Sequence, residues 1–447
     1  MGSPLRIYSV EEATRTILCR RPPDEVELPA AVGESLARIF GRGVGPAQAV
    51  ARILSDVRAR GDQAVREWTR CLDEVELTSL AVEPEAVEAA YQGLDPELRQ
   101  ALEAAAELIE AFHRQQPLHS WLDSRPAGTL GQLVRPIERV GLYVPGGRAS
   151  YPSSLLMAAL PARVAGVGRL VVATPPQRET NMPAPVMLAA AHIARADRVY
   201  RMGGAQAIAA LAYGTESVER VDKVCGPGNL FVTLAKRQVM GLVGIDGLSG
   251  PTETVVIADA TARPALVACD LLAQAEHDPL ATAILLTPSL ELARRVAAQV
   301  AARLGELERA PVAAESLAAR GGAVVTGSLE QALELANAYA PEHLCLLVAD
   351  PWRWVGHVHQ AGGVFVGEHS SETLGDYVAG PSHVMPTGGS ARFSSPLSVA
   401  DFCKVTSLIA LGPEEARRLA PVAARLARAE GLSGHAAAAQ AREGEDA

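Results

Sequence analysis

An acid and an imidazole adjoin at Glu342-His343, inside the string APEHL at residues 340–344. A neutral histidine can take the proton of an alcohol, and a carboxylate can activate a water. Along a strand two neighbours point to opposite faces, but at the start of one both can reach the same pocket. The pair is also what an ordinary solvated turn after a helix carries, so the dipeptide alone decides nothing. Gln274-Ala275-Glu276-His277 closes a predicted helix. Gln274 and His277 stand three apart, hence on one face, where they could share a metal or simply meet water. Gly375-Asp376-Tyr377 and Pro381-Ser382-His383 fall in a Gly/Ser-rich stretch, 367–398, that reads as a long loop. Asp376 offers the oxygen type that divalent metals take. Glu430-Gly431-Leu432-Ser433-Gly434-His435 sets another carboxylate and histidine around a glycine break near the C-terminus; alone, it is a fraying tail.

Four Gly-Pro or Gly-Gly turns carry further polar residues. They are Tyr143-Val144-Pro145-Gly146-Gly147-Arg148, Gly203-Gly204-Ala205-Gln206, Gly226-Pro227-Gly228-Asn229 and Gly250-Pro251-Thr252-Glu253. Glycine lets backbone approach a ligand closely and proline stiffens the turn. Such turns at the carboxyl ends of strands are where open α/β sheets hold ligands. The common fingerprints are missing: the sequence has no GxGxxG, GxxxxGK[ST], HExxH or CxxC.

The elements that must position these residues follow from periodicity. Helical patterns cover 46–70 and 96–116. From about 135 onward short β-rich runs alternate with Ala-rich helices: strands at 169–174, 198–203, 254–259, 283–288, 323–327, 343–348 and 363–367, and helices at 185–196, 205–214, 264–276, 289–303 and 328–339. That alternation predicts parallel sheets covered by helices, in two lobes at 140–250 and 250–370. Residues 1–30, with Arg21-Pro22-Pro23, read as an arm, and 413–447 as an Ala/Arg/Glu-rich helix with a polar end.

The whole chain of 447 residues exceeds one ordinary core. Its 48% hydrophobic and 21% charged residues are those of a globular protein. A net charge of −10 argues against general affinity for nucleic acid or an anionic membrane. Cys19, Cys71, Cys225, Cys269, Cys345 and Cys403 are scattered, as free thiols of a reducing compartment are. MGSPLRIYSVEEATRT lacks an apolar signal core, so a cytoplasmic chain is expected. The most apolar run, 151–173, is broken by Arg163 and Arg169 and is no membrane span.

Taken in order, these strings resemble the histidinol dehydrogenase family. QAEH (274–277), APEHL (340–344), GDY (375–377), AGPSHVMPTGG (379–389), ARFSSPLSV (391–399) and EGLSGH (430–435) carry the resemblance. So do YVPGGRASYPSSLLM (143–157), GGAQAIAALAYGT (203–215), VDKVCGPGN (221–229) and AKRQV (235–239). The likeness spans about residues 40–436. It implies oxidation of L-histidinol to L-histidine through L-histidinaldehyde, with two NAD+ and a bound zinc ion. It implies an α/β fold of two incomplete Rossmann-like parallel-sheet domains plus small N- and C-terminal pieces, in an intertwined homodimer. The implied division is an N-terminal arm (1–36), a first domain (37–150 and 252–396) with the catalytic pair, a second domain (151–251) on the NAD side, and a helical tail (397–447) reaching the partner.

Residue by residue, the resemblance makes Gln274, His277, Asp376 and His435 the zinc ligands, with His435 given by the partner subunit. It makes Glu342 and His343 the catalytic pair. Tyr143, Gln206 and Asn229 match contacts to NAD; Thr252, His343, His383 and Glu430, beside the metal residues, match contacts to histidinol. Thr252 stands where many relatives carry Ser, and Ala436 where Lys is common. Three other readings stay open on the residues alone. One is a zinc/NAD alcohol dehydrogenase for another small polar substrate. Another is a zinc hydrolase with Glu342 as base, and the last an inert binding protein.

Overall fold

A computed structural model of the chain describes residues 4–20, 30–146 and 150–444. The predicted turn residues Gly147-Arg148 and the Arg21-Pro22-Pro23 segment lie outside the described residues.

Two parallel-rich sheets of six strands form the centre of the molecule. The first runs in the order Ile7–Ser9, Gly322–Val325, Thr282–Thr287, Glu253–Ala258, His343–Leu347, Gly363–Val366. Every pairing in it is parallel. Its central strands Glu253–Ala258, Thr282–Thr287 and His343–Leu347 are buried along their whole length. Helices cover both faces, so these strands read as unbroken apolar runs rather than alternations. Each Val, Ile or Leu so buried contributes roughly 1.5–3 kcal/mol.

The second sheet runs Ala81–Val82, Arg198–Arg201, Arg169–Thr174, Arg139–Tyr143, Lys223–Cys225, Gly244–Ile245. Ala81–Val82 is its one antiparallel member. The helix Pro152–Ala165 packs in its apolar core, with Leu155 through Ala159 fully buried. That burial accounts for the near-continuous apolar run at 151–173. No described helix is long and apolar enough to cross a membrane.

Strand pairing departs from the division expected from the resemblance. Residues 81–82 and 139–143, expected with the first domain, pair inside the second sheet. The physical reason is register: Val140–Leu142 is flanked on both sides, by Leu170–Val172 and Lys223–Cys225, and cannot leave without opening the sheet. The two lobes read from strand–helix alternation, 140–250 and 250–370, correspond more closely to the two sheets. The arm expected over 1–36 is not free where it is described. Ile7–Ser9 adds an edge strand to the first sheet, and Val10–Arg15 is a helix capped by Ser9 and Glu12.

A third, antiparallel sheet has no counterpart in the sequence reading. It joins Trp121–Arg125, Gly128–Pro136 and Cys403–Leu411. The expected helical tail 397–447 therefore opens with a single 3-10 turn, Val399–Phe402, and a strand. Only beyond it come the helices Pro413–Ala429 and Ser433–Gln440, which pack chiefly on each other through Ala424, Ala427 and Ala436. The predicted helix 46–70 is two helices, Pro46–Arg60 and Asp62–Leu72, parted at Gly61 with φ +54°. The loop read at 367–398 contains the short helix Glu372–Tyr377.

Candidate active site

Two neighbouring parallel strands begin side by side, and their first residues meet. Thr254 is in register with His343, so Thr252-Glu253 lies against Glu342-His343 at the amino ends of the strands. This is the opposite end of the strand from the one at which open α/β sheets usually hold ligands. The turn before Glu342 is bent by Ala340, a non-glycine residue in the left-handed region at φ +53°.

The side chains there form one hydrogen-bonded chain. Gln274, fully buried in the last turn of the helix Pro264–Ala275, donates from Nε2 to Thr252 Oγ1 at 2.8 Å. Thr252 Oγ1 in turn donates to Glu342 Oε2 at 2.7 Å. The Glu253 amide also donates to that oxygen, at 3.1 Å. Burial dominates the electrostatics: it pushes the Glu342 carboxyl up to about 7, against the lowering effect of His343 and of these donors. With its nitrogen spent on Thr252, Gln274 is left with a buried Oε1 that has no hydrogen-bond partner.

His343 is almost fully buried. Its Nδ1 faces the Glu253 carbonyl oxygen at 3.3 Å, and lies 3.8 Å from Glu342 Oε2 and 3.6 Å from Glu372 Oε1. Its Nε2 has no hydrogen-bond partner and lies 3.7 Å from Asp376 Oδ1. A carbonyl can only accept, so Nδ1 is the donor, and in the neutral ring Nε2 is the nitrogen with the lone pair. Glu372 and Asp376 stand four apart on one helix face. Glu372 accepts from Thr254 Oγ1, and burial, with Asp376 adding repulsion, raises its carboxyl well above the usual range.

His277 follows the helix of Gln274. It is exposed on one side and surrounded by protein on the others; that desolvation pushes its imidazole pKa down, with Asp376 opposing and His343 reinforcing the shift. His383 is held on both ring nitrogens: Nδ1 donates to the Asp376 carbonyl oxygen at 2.7 Å, and Ser154 Oγ donates to Nε2 at 3.0 Å. Burial lowers its pKa, as a neutral ring requires. His383 thereby ties Asp376 to the helix Pro152–Ala165 of the second sheet.

The structure thus gathers Thr252, Gln274, Glu342, His343 and Asp376, with His277 and His383 at the edge. It does not bring Glu430 or His435 to them. Both are exposed, on the C-terminal helix pair. Sequence reasoning missed Glu372 and Glu253. Glu372 had a signal, since it lies one helical turn before Asp376 in ETLGDY. Geometry also draws the cation-holding cluster differently from the expected set: His343, Glu372 and Asp376 bring ligand atoms within 4.8 Å of one another, and only Asp376 is common to both sets.

The three residues matched to NAD sit where second-sheet strands end or where the helices after them begin. Tyr143 ends its strand, and its hydroxyl accepts from the Gly204 amide at 3.3 Å. Burial raises the phenol to about 12, so it stays protonated. Gln206 is fully buried, donates from Nε2 to Asp73 Oδ2 at 3.2 Å, and leaves Oε1 unpartnered. Desolvation lifts Asp73 to about 6. Asn229 already has a structural task, capping the helix Leu230–Val239 by accepting from the Phe231 and Val232 amides. Gly226, at φ +114°, packs so closely that a Cβ would collide with the Tyr143 carbonyl oxygen.

Parallel sheets around a buried acid–base pair, with polar turns beyond a second set of strands, define an α/β enzyme. The family described as histidinol dehydrogenase matches residues 45–443. The histidinol dehydrogenase of Moorella thermoacetica is 54% identical over 402 residues, 89% of this chain and 95% of that one. That of Deinococcus radiodurans is 53% identical over 420 residues, 94% of this chain and 95% of the relative. The crystal structure of histidinol dehydrogenase from Elizabethkingia anophelis superposes with a TM-score of 0.89 at 33% identity, covering 99% of this chain and 98% of that one. The chain belongs to the histidinol dehydrogenase family.

Proposed function

We propose that this chain oxidises L-histidinol to L-histidine through L-histidinaldehyde, using two NAD+ and one divalent metal ion, zinc or manganese, in the cytoplasm. The observation that carries the reading is the setting of His343: a buried imidazole with Nδ1 turned to a carbonyl and 3.8 Å from Glu342 Oε2, and an unpartnered Nε2 3.7 Å from Asp376 Oδ1. Identity above 50% to two histidinol dehydrogenases supports the choice of substrate.

The residues suit the metal. Gln274 presents an orphaned buried oxygen, Asp376 a carboxylate and His277 an imidazole that feels the Asp376 charge, an all N/O set without thiolate. Gln274, His277 and Asp376 would hold the ion, with His435 of a second copy as the fourth ligand. Exposure of Glu430 and His435 on a helix pair packed mostly on itself fits tails that reach another subunit. Tyr143, Gln206 and Asn229 would face NAD. When bound, the metal orients the substrate and NAD accepts its hydride.

The chain's own groups manage the protons. His343 Nε2 takes the hydroxyl proton as the carbinol loses hydride. Glu342, ionised above about pH 7, takes a proton from the water that adds to the aldehyde. His343 then takes a proton from the hydrate in the second oxidation. Burial of the pair keeps bulk water from the bound aldehyde. Thr252 and Gln274 would orient Glu342 and the substrate, and His383 would fix Asp376. The test is stoichiometric: metal-loaded protein should reduce about two NAD+ per histidinol without free aldehyde. One NADH with accumulating aldehyde would overturn the reading. Turnover of another small alcohol, such as a sulfonated diol, and not of histidinol would redirect it.

A further inference from the structure

The described N-terminal segment ends on Arg20, whose side chain is bonded to residues 233 to 320 positions away in sequence. The guanidinium pairs with both carboxylate oxygens of Glu253, at 2.7 Å on the Nη2–Oε2 side. Its Nε donates to the Tyr339 carbonyl oxygen at 2.9 Å, and Nη2 to the Ala340 carbonyl oxygen at 3.3 Å. The guanidinium carbon lies 3.8 Å from the centre of the Tyr339 ring. The ion pair is largely buried, with 22% of the Arg20 side chain and 8% of that of Glu253 exposed.

These contacts fall on the two backbone segments that frame the acid–base pair. Tyr339 and Ala340 end the helix before Glu342-His343, and Ala340 holds the left-handed conformation that an L side chain resists. Such a residue persists only where its surroundings over-determine it. Glu253 stands on the other side: its amide donates to Glu342 Oε2, and its carbonyl faces His343 Nδ1. One planar cation therefore grips the turn that delivers the pair and the residue whose backbone orients both members. A fork of fixed geometry can do this; a single ammonium cannot reach the two carbonyls and both carboxylate oxygens together.

We propose that Arg20 is a positioning residue for catalysis, bracing the Tyr339–Ala340 turn against Glu253 so that Glu342 and His343 stay aligned with the substrate. The proposal rests on the reading that this pair moves the protons. Arg20 touches neither member itself, and its effect passes through backbone.

Full-length, metal-loaded Arg20→Ala should fold, keep its metal, and lose kcat on the order of 100-fold, while KM for histidinol changes less than about threefold. Added guanidinium ion at non-denaturing concentration should restore part of the lost kcat, and ammonium at equal ionic strength should not. Arg20→Lys keeps the charge without the fork and should stay below about a tenth of the wild-type kcat. A folded Arg20→Ala with wild-type kcat overturns the proposal. So does a loss in which kcat, KM and melting temperature fall together without guanidinium rescue. If the alanine variant does not fold, Arg20→Lys decides alone, and wild-type kcat in it overturns the proposal. Failure of the underlying reading looks different, because the unmutated chain would then form no NADH from histidinol.

Discussion

The Nδ1 of His343 faces the backbone carbonyl oxygen of Glu253 at 3.3 Å, so the opposite ring nitrogen is the one left to accept a proton. His343→Asn introduces an amide of similar reach that has no basic nitrogen lone pair to offer. Turnover should fall by roughly 10²–10⁴-fold, the usual worth of a general base. Metal content, measured by atomic absorption, should be unchanged. Loss of metal with activity would instead assign the ion to the cluster of His343, Glu372 and Asp376.

Glu342 gives the pH dependence. Burial holds its carboxyl at about 7, against 4.5 for a free side chain. The base form needed for water addition disappears below that value, so conversion of histidinaldehyde to histidine should drop about tenfold per pH unit below 7. Glu342→Gln should lose this step and its pH limb yet retain measurable oxidation of histidinol to the aldehyde. Stability follows the opposite sign. Between pH 4.5 and about 7 the folded chain holds a proton that the unfolded chain has released, so stability falls as pH rises through that window. Thermal melts of Glu342→Gln should show a shallower fall; an identical slope would place the titration elsewhere.

If His435 serves the site of a second copy, His435→Ala and Asp376→Ala should each lose metal and activity. Each inactive protein still has what the other lacks. Mixed dimers, formed after co-refolding, should recover up to about one quarter of wild-type activity, if exchange is random and one of the two sites per heterodimer is intact. Absence of recovery in verified heterodimers would show that each site is built from one chain.

Gly226 tests the cofactor side. Alanine there would need both a left-handed backbone and relief of the collision with the Tyr143 carbonyl oxygen. Gly226→Ala should weaken NAD binding, read by calorimetry, by about tenfold or more, while binding of histidinol to the metal-loaded protein stays within about threefold. Equal weakening of both ligands would mean that the damage is general.

Strong local signals made much of the fold legible. Buried parallel strands such as Val255–Ile257 and Leu344–Leu346 are short apolar runs between Ala-rich helices, and alternation alone locates them. The antiparallel sheet was not legible, because Trp121–Arg125 is exposed along its length and Cys403–Leu411 pairs with residues about 275 positions away. Ile7–Ser9 is too short to have a period. At the site, Glu342 and His343 were visible as an adjacent pair, but their chemistry came from neighbours that spacing does not reveal. Thr252 is 90 residues from Glu342, and Arg20 is 233 from Glu253. Asn229 shows the converse limit: a residue singled out for a ligand also caps a helix, and sequence cannot separate the tasks.

The edge strand Ile7–Ser9 has a consequence for how the molecule is made. It docks on Gly322–Val325, so more than three hundred residues must leave the ribosome before the first segment finds its place. Every strand of the second sheet has been synthesised by Ile245, while the catalytic sheet waits for Gly363–Val366. The nascent chain can therefore complete its second sheet first, and the contacts that Arg20 makes with Tyr339 and Ala340 form only once that late turn has been synthesised.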